Sequence, residues 1–109
     1  MVDNSQKTDA ENEGKSKARI LVILNMHKKH SNKEISEATD IAEGYIDYII
    51  KSKTVKDTLF IGKEQRLGME KEMTRLVLNI MNKKKWTAKE IAEAIDYKED
   101  AVKNMISQG

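Results

Sequence analysis

The sequence lacks cysteine and proline altogether among its 109 residues. The absence of cysteine excludes disulfides and thiolate metal sites, and it leaves the redox compartment undetermined. Aromatic residues make up only 5% of the chain, and no apolar run approaches the roughly 20 residues needed to cross a bilayer. The N-terminus also lacks the basic-then-apolar pattern of a signal peptide, so we expect a cytoplasmic protein with no membrane association.

Charged residues make up 35% of the chain and hydrophobic residues 39%, a profile typical of a soluble domain with a modest core. A proline-free chain rich in Lys, Glu, Ile, Ala and Met favours helices throughout, so we predict an all-α fold. The net charge is only +2, but cations outnumber acids by seven to five over residues 74–107. Any field that attracts nucleic acid would therefore be local and stronger in the second half.

The phrase SNKEI at residues 31–35 recurs as TAKEI at residues 87–91, fifty-six positions later. The same offset aligns apolar, capping and turn positions in both halves without a gap. The matched pairs include Arg19 and Arg75, Lys28 and Lys84, Ile35 and Ile91, Ala38 and Ala94, Asp40 and Asp96, and Ile50 and Ile106. Because chance similarity would not reproduce all three kinds of position, we predict a tandem duplication of one three-helix unit.

Local signals place the helices within each unit. Ser31 and Thr87 each stand three residues before a glutamate, which is the spacing of a capping box that opens a short helix. The turn that follows has two interpretations. Asp40 and Asp96 stand where the helix-turn-helix that each unit resembles usually has a left-handed glycine, and that resemblance implies the left-handed conformation, which aspartate tolerates. Alternatively, they begin D-x-x-E capping boxes, which would start the third helix earlier.

The units are joined by a long central helix that we predict from near Lys63 to Lys84. The stretch TVKDTLFIG before it is compatible with a strand or a loop. The predicted segments are a flexible polar tail over residues 1–15, a helix-turn-helix unit over 16–52, a linker and the start of the long helix over 53–73, and a second unit over 74–109.

Each unit resembles a helix-turn-helix of the LuxR/GerE type or of sigma-factor region four. The resemblance rests on SNKEIS at residues 31–36 and EIAEAIDYKEDAVKNMIS at residues 90–107. It implies double-stranded DNA as the partner, with each third helix in the major groove and phosphates bound near each second helix. The residues expected to contact DNA are Lys28, Lys29, Lys33, Tyr45, Tyr48, Lys83, Lys84, Lys85, Lys89, Lys98, Lys103 and Asn104.

The predicted third helices depart from this family pattern. They contain no arginine, the commonest base-reading side chain. The first of them carries Glu43 and Asp47, which phosphate would repel. We therefore expect the second unit to supply most of the DNA contact, in a transcriptional or mobile-element regulator.

A second resemblance implies a different function. The stretch EGKSKARILVILNMHKKHSNKEISEATDIAEGYIDYI is similar to the C-terminal tails of Rpn-type transposase-like nucleases, and acidic third helices fit this version. It implies a protein-interaction module, such as a phage- or plasmid-type inhibitor or an antitoxin-like tail, with an interface at Asp47, Met69 and Met73. The stripe formed by Met69, Met73, Leu76 and Ile80 would either support a homodimer or join the two repeats into one core.

The polar residues form no catalytic constellation, since there is no Ser-His-Asp setting, no glycine-rich phosphate loop and no carboxylate cluster with metal-ligand spacing. We expect no enzymatic activity and no cofactor. His27 and His30 stand three residues apart, but no third ligand accompanies them. We therefore expect helix-end residues rather than a metal site.

Overall fold

The computed structural model describes the backbone of residues 4–109 and the side chains from residue 8 onward. Over that range it is helical and has no strand, so the predicted all-α class is confirmed. None of these helices is both long enough and apolar enough to cross a membrane. The elements are α1 (Asn4–Met26), α2 (Asn32–Thr39), α3 (Glu43–Ser52), the 3-10 helix η1 (Val55–Thr58), α4 (Gly62–Lys84), α5 (Ala88–Ile95) and α6 (Glu99–Gln108).

The short helices α2 and α5 begin and end as the local sequence predicts. The Ser31 and Thr87 side chains accept hydrogen bonds from the backbone N–H three residues later, and both capping boxes are complete. Asp40 and Asp96 follow these helices with φ values of 65° and 60°, in the left-handed region. The next helices then start without a side-chain cap. The left-handed interpretation of the turn is therefore correct, and the D-x-x-E boxes do not form.

The structure differs from the flexible tail expected over residues 1–15. Residues 4–15 are the first turns of α1, and α1 makes its most extensive contact with α4. Polar bonds hold this segment: Lys71 Nζ donates to Glu11 at 2.8 Å, and Gln65 Nε2 donates to Glu13 at 2.7 Å. The segment has little apolar surface to bury, so composition alone could not reveal these contacts. Residues 1–3 lie outside the described range.

The hairpin α2–α3 packs on α4 as well as on α1, and the hairpin α5–α6 packs on α1 as well as on α4. The Asn25 side-chain amide, on α1, donates to the carbonyl of Ile95 on α5 at 2.7 Å. The first helix of each half therefore supports the hairpin of the other half, and all six α-helices share one core. Met73, Leu76 and Ile80 are almost completely buried in that core. Met73 therefore offers no surface to a partner, contrary to the interface role predicted for it.

One buried carboxylate links the two long helices. Glu72 on α4 lies 2.6 Å from Arg19 on α1 and 2.5 Å from Arg75, and only 5% of its side chain is exposed. Burial raises the pKa of Glu72, but hydrogen bonds from the two guanidinium groups outweigh burial and hold the pKa below its ordinary value. Glu72, Arg19 and Arg75 therefore form an ion cluster that links α1 to α4.

Candidate functional site

The imidazole of His30 and the indole of Trp86 lie in contact, with ring centroids 5.2 Å apart. His30 immediately precedes Ser31, the N-cap of α2, and Trp86 immediately precedes Thr87, the N-cap of α5. The ring contact therefore brings the N-termini of the two short helices together. We call this place the His30–Trp86 junction.

Seven of the lysines predicted to contact DNA stand within three residues of one of these rings, and two of them, Lys83 and Lys84, are ion-paired, which leaves five. All five are exposed, and within the described part of the chain none of them forms an ion pair. We call them the junction lysines: Lys28, Lys29, Lys33, Lys85 and Lys89. Because both helix N-termini also carry partial positive charge, the junction combines several features that attract phosphate.

Carboxylates also surround the junction, and most of them have local partners. Glu34 lies 3.3 Å from His30 and also completes the capping box of α2. Both contacts lower the pKa of Glu34, and the hydrogen bond with His30 has the larger effect. Glu90 completes the capping box of α5. A shallow cavity of about 230 Å³ at the junction is lined by Lys29, His30, Trp86, Glu90, Glu93 and Ala94.

Three other predicted DNA contacts are ion-paired within the chain. Lys83 pairs with Asp40, and Lys84 lies 3.2 Å from Glu37, so both lysines tie the end of α4 to the α2 hairpin. Lys103 lies 2.9 Å from Glu99, one turn earlier on α6, and this contact lowers the pKa of Glu99 and raises that of Lys103.

The remaining predicted site residues lie on the third helices. On α3, Tyr48 is exposed, Tyr45 is half-buried against the core, and Asp47 pairs with Lys51 at 2.9 Å. On α6, Asn104 is exposed, and Lys98 at the N-cap is exposed without an ion-pair partner in the described range. The predicted set therefore does not form one continuous surface: the junction lysines cluster, and the α3 residues lie on a separate helix.

An exposed apolar patch was not predicted. It consists of Val55, Leu59, Phe60, Ile61 and Leu67. Phe60 also lines a groove of about 280 Å³ between α4 and α6, and we call this the α4–α6 groove. The sequence did contain a signal, because LFI before Gly62 is a run of three apolar residues with no helical periodicity.

No family model, curated protein or solved structure matches this chain. In the described part of the chain, no three histidine or acidic side chains converge as a metal-binding group.

Proposed function

We propose that this chain is a small DNA-binding protein built from two tandem helix-turn-helix units, α1–α3 and α4–α6, and that it acts as a transcriptional or mobile-element regulator. The single observation that carries the proposal is the cluster of five unpaired junction lysines beside the N-termini of α2 and α5. In helix-turn-helix proteins this part of the unit contacts the DNA backbone.

The distribution of charge supports a mode of binding dominated by phosphate contacts. The outward residues of α3 include Glu43 and Asp47, which disfavour entry of that helix into a groove. The helix α6 and its N-cap carry the exposed residues Lys98, Lys103 and Asn104, so we expect the second unit to make the contacts to base edges. Most of the affinity then comes from released counterions, and it depends strongly on salt.

The test is fluorescence anisotropy with mixed-sequence duplex DNA over a series of salt concentrations. The variant Lys29→Gln/Lys85→Gln removes two junction lysines, and Lys53→Gln/Lys56→Gln is a control that makes the same charge change in the α3–α4 connection. We expect the junction variant to reduce the slope of log affinity against log salt by about 2, and the control to change it little. Equal effects of both variants, or no binding at low salt, would contradict the proposal.

A second function, binding of another protein, is favoured by the exposed apolar patch. Three of its members, Leu59, Phe60 and Ile61, are adjacent in the chain, and adjoining exposed apolar side chains on a small protein commonly mark an interaction site. This function agrees with the resemblance to nuclease tails and with the acidic face of α3. Co-purification from the native host with wild-type chain and with Phe60→Ser distinguishes the two functions, because a partner held by the patch is lost only from the variant.

A further inference from the structure

The apolar patch is held outward by polar bonds to its backbone. Lys17 Nζ donates to the carbonyl of Leu59 at 2.7 Å, and the N–H of Ile61 donates to Gln65 Oε1 at 2.8 Å. With the backbone fixed in this way, the Leu59, Phe60 and Ile61 side chains remain 66%, 51% and 78% exposed. The cost of leaving three adjacent large apolar side chains in water makes this surface a candidate for burial by a partner.

The α4–α6 groove adjoins this patch, because Phe60 belongs to both. Its apolar lining includes Met69, Tyr97 and Met105, and burial raises the pKa of the Tyr97 hydroxyl. Methionine side chains adapt readily to the shape of an inserted group. The patch therefore presents protruding apolar side chains directly beside a groove that can receive such side chains.

The rim of the groove carries charges of both signs. Arg66 Nε lies 3.1 Å from Glu70, and both side chains are mostly exposed. Leu67, which is 44% exposed, lies beside the same two residues in a neighbouring depression. A rim that carries one guanidinium and one carboxylate is complementary in charge to a second copy of itself.

The internal repeat does not account for this apolar surface. Under the fifty-six-residue offset, Leu67 corresponds to Glu11 and Met69 corresponds to Glu13. Both glutamates form polar contacts between α1 and α4. The repeat therefore does not require apolar residues at these positions of α4. Met69 packs partly on the core, whereas Leu67 remains exposed and is left for another contact.

We propose that the patch and the α4–α6 groove form the interface of a two-fold symmetric homodimer. Phe60 and Ile61 of each copy insert beside Met69 and Tyr97 of the other copy. A two-fold interface uses the same surface on both chains, so that surface must contain both the protruding and the receiving parts, and the patch with its groove contains both. Arg66 of each copy then faces Glu70 of the other. The interface uses none of the junction lysines, and its test below contains no DNA, so the dimer and the proposed DNA binding are tested separately.

The first test is sedimentation equilibrium of the full chain up to about 100 μM, so that association with micromolar affinity is detected. We expect a mass approaching twice the 12.5 kDa of one chain. Phe60→Ser should weaken dimerisation by at least about tenfold, as expected for an anchoring aromatic side chain. Tyr48→Ser is the matched control, because Tyr48 is similarly exposed at 54% but lies on α3. Circular dichroism checks that both variants remain folded.

A wild-type chain that stays monomeric at that concentration overturns the proposal, and so does a dimer that both variants weaken equally. A second test uses charge reversal. Arg66→Glu and Glu70→Arg should each be monomeric alone, because like charges meet across the two-fold axis. An equimolar mixture of these two variants should form a heterodimer. Failure of the mixture to associate would contradict the proposed placement of the rim.

Discussion

A β-carbon placed on Gly14 would stand 1.9 Å from the carbonyl oxygen of Gln65, because the backbones of α1 and α4 touch at this point. Gly68 is in the same position on the other helix, 1.9 Å from the carbonyl oxygen of Glu11. Two glycines thus allow the long helices to meet backbone to backbone. This close approach, together with the polar bonds nearby, explains why the polar residues 8–15 are ordered.

Replacement of either glycine tests the close approach of the helices. Gly14→Ala or Gly68→Ala should lower the free energy of unfolding by about 2–3 kcal/mol, since the new methyl group meets backbone rather than a movable side chain. Gly44→Ala is the matched control, because nothing lies within 4 Å of a β-carbon there. Because Gly44 is an exposed position of α3, this substitution should raise the free energy of unfolding by about 0.5–1 kcal/mol. Urea unfolding followed by circular dichroism measures all three, and a neutral Gly14→Ala would contradict the observed crossing.

The buried carboxylate of Glu72 should contribute to stability only above the acid range. Glu72→Gln removes the charge that pairs with Arg19 and Arg75, and both arginines can still reach water. We therefore expect a loss of about 2 kcal/mol near neutral pH, below the usual cost of breaking a fully buried pair. Glu70→Gln is the control, since its pair with Arg66 is exposed and should contribute little.

The pH dependence of this effect follows from the direction of the pKa shift. The pKa of Glu72 is lower in the folded chain than its ordinary value, so the ionised form favours folding. Its contribution is complete above the ordinary glutamate pKa of about 4.3, and it is lost as pH falls through the lower folded value. The stability difference between wild type and Glu72→Gln should therefore shrink below about pH 4 in urea unfolding. If the stability difference instead grows on acidification, the pKa of Glu72 is raised on folding and not lowered.

The left-handed residue after α5 should tolerate only certain side chains. Asp96 has φ of 60°, a conformation that glycine adopts without a steric penalty. Asp96→Gly should raise the free energy of unfolding by about 0.5–1 kcal/mol, and Asp96→Ala should lower it by a similar amount. The control is Asp100→Gly in the first turn of α6, which should cost about 1 kcal/mol because glycine disfavours a helix and the change removes a carboxylate that stabilises the helix N-terminus. Thermal unfolding of the three variants gives this order, and a destabilised Asp96→Gly would contradict the turn geometry.

Local rules were sufficient to predict most helix boundaries. The capping boxes at Ser31 and Thr87 depend on side chains and backbone only three residues apart, so the sequence contains all the information needed. The long central helix, expected from near Lys63 to Lys84, is observed as Gly62–Lys84, because the helical spacing of its apolar residues is also a local signal. The left-handed turn remained open, because Asp40 and Asp96 satisfy two local patterns and only the whole fold selects one.

Most of the features that sequence analysis missed depend on contacts between distant segments. No local signal in residues 4–15 indicates that this helix packs against Gly68, which is more than fifty positions away. Met73 belongs to an apolar stripe on α4 whose spacing is equally compatible with a core and with an interface. The two hairpins pack on α4, and Met73 is buried in the core. The ion pairs of Lys83 and Lys84 join the end of α4 to the α2 hairpin, so they could not be assigned before the hairpins were placed. The pair of Lys103 with Glu99 is local, and its i,i+4 spacing was visible in the sequence.

The ion pair between Lys103 and Glu99 on α6 should limit the affinity of the chain for DNA. Lys103 is held by Glu99 at 2.9 Å, so its charge is partly compensated within the helix. Glu99→Gln releases this lysine and removes one charge that repels phosphate, so we expect DNA binding at low salt to tighten about two- to fivefold.

Glu64→Gln is the matched control, because it makes the same charge change in the first turn of α4 and not on α6. Anisotropy titrations with one duplex at one salt concentration compare the two variants. If α6 lies against DNA, only Glu99→Gln tightens binding, and adding Lys103→Gln to that variant abolishes the gain. If both glutamate variants act equally, the effect reflects net charge alone, and α6 then has no direct place in the DNA contact.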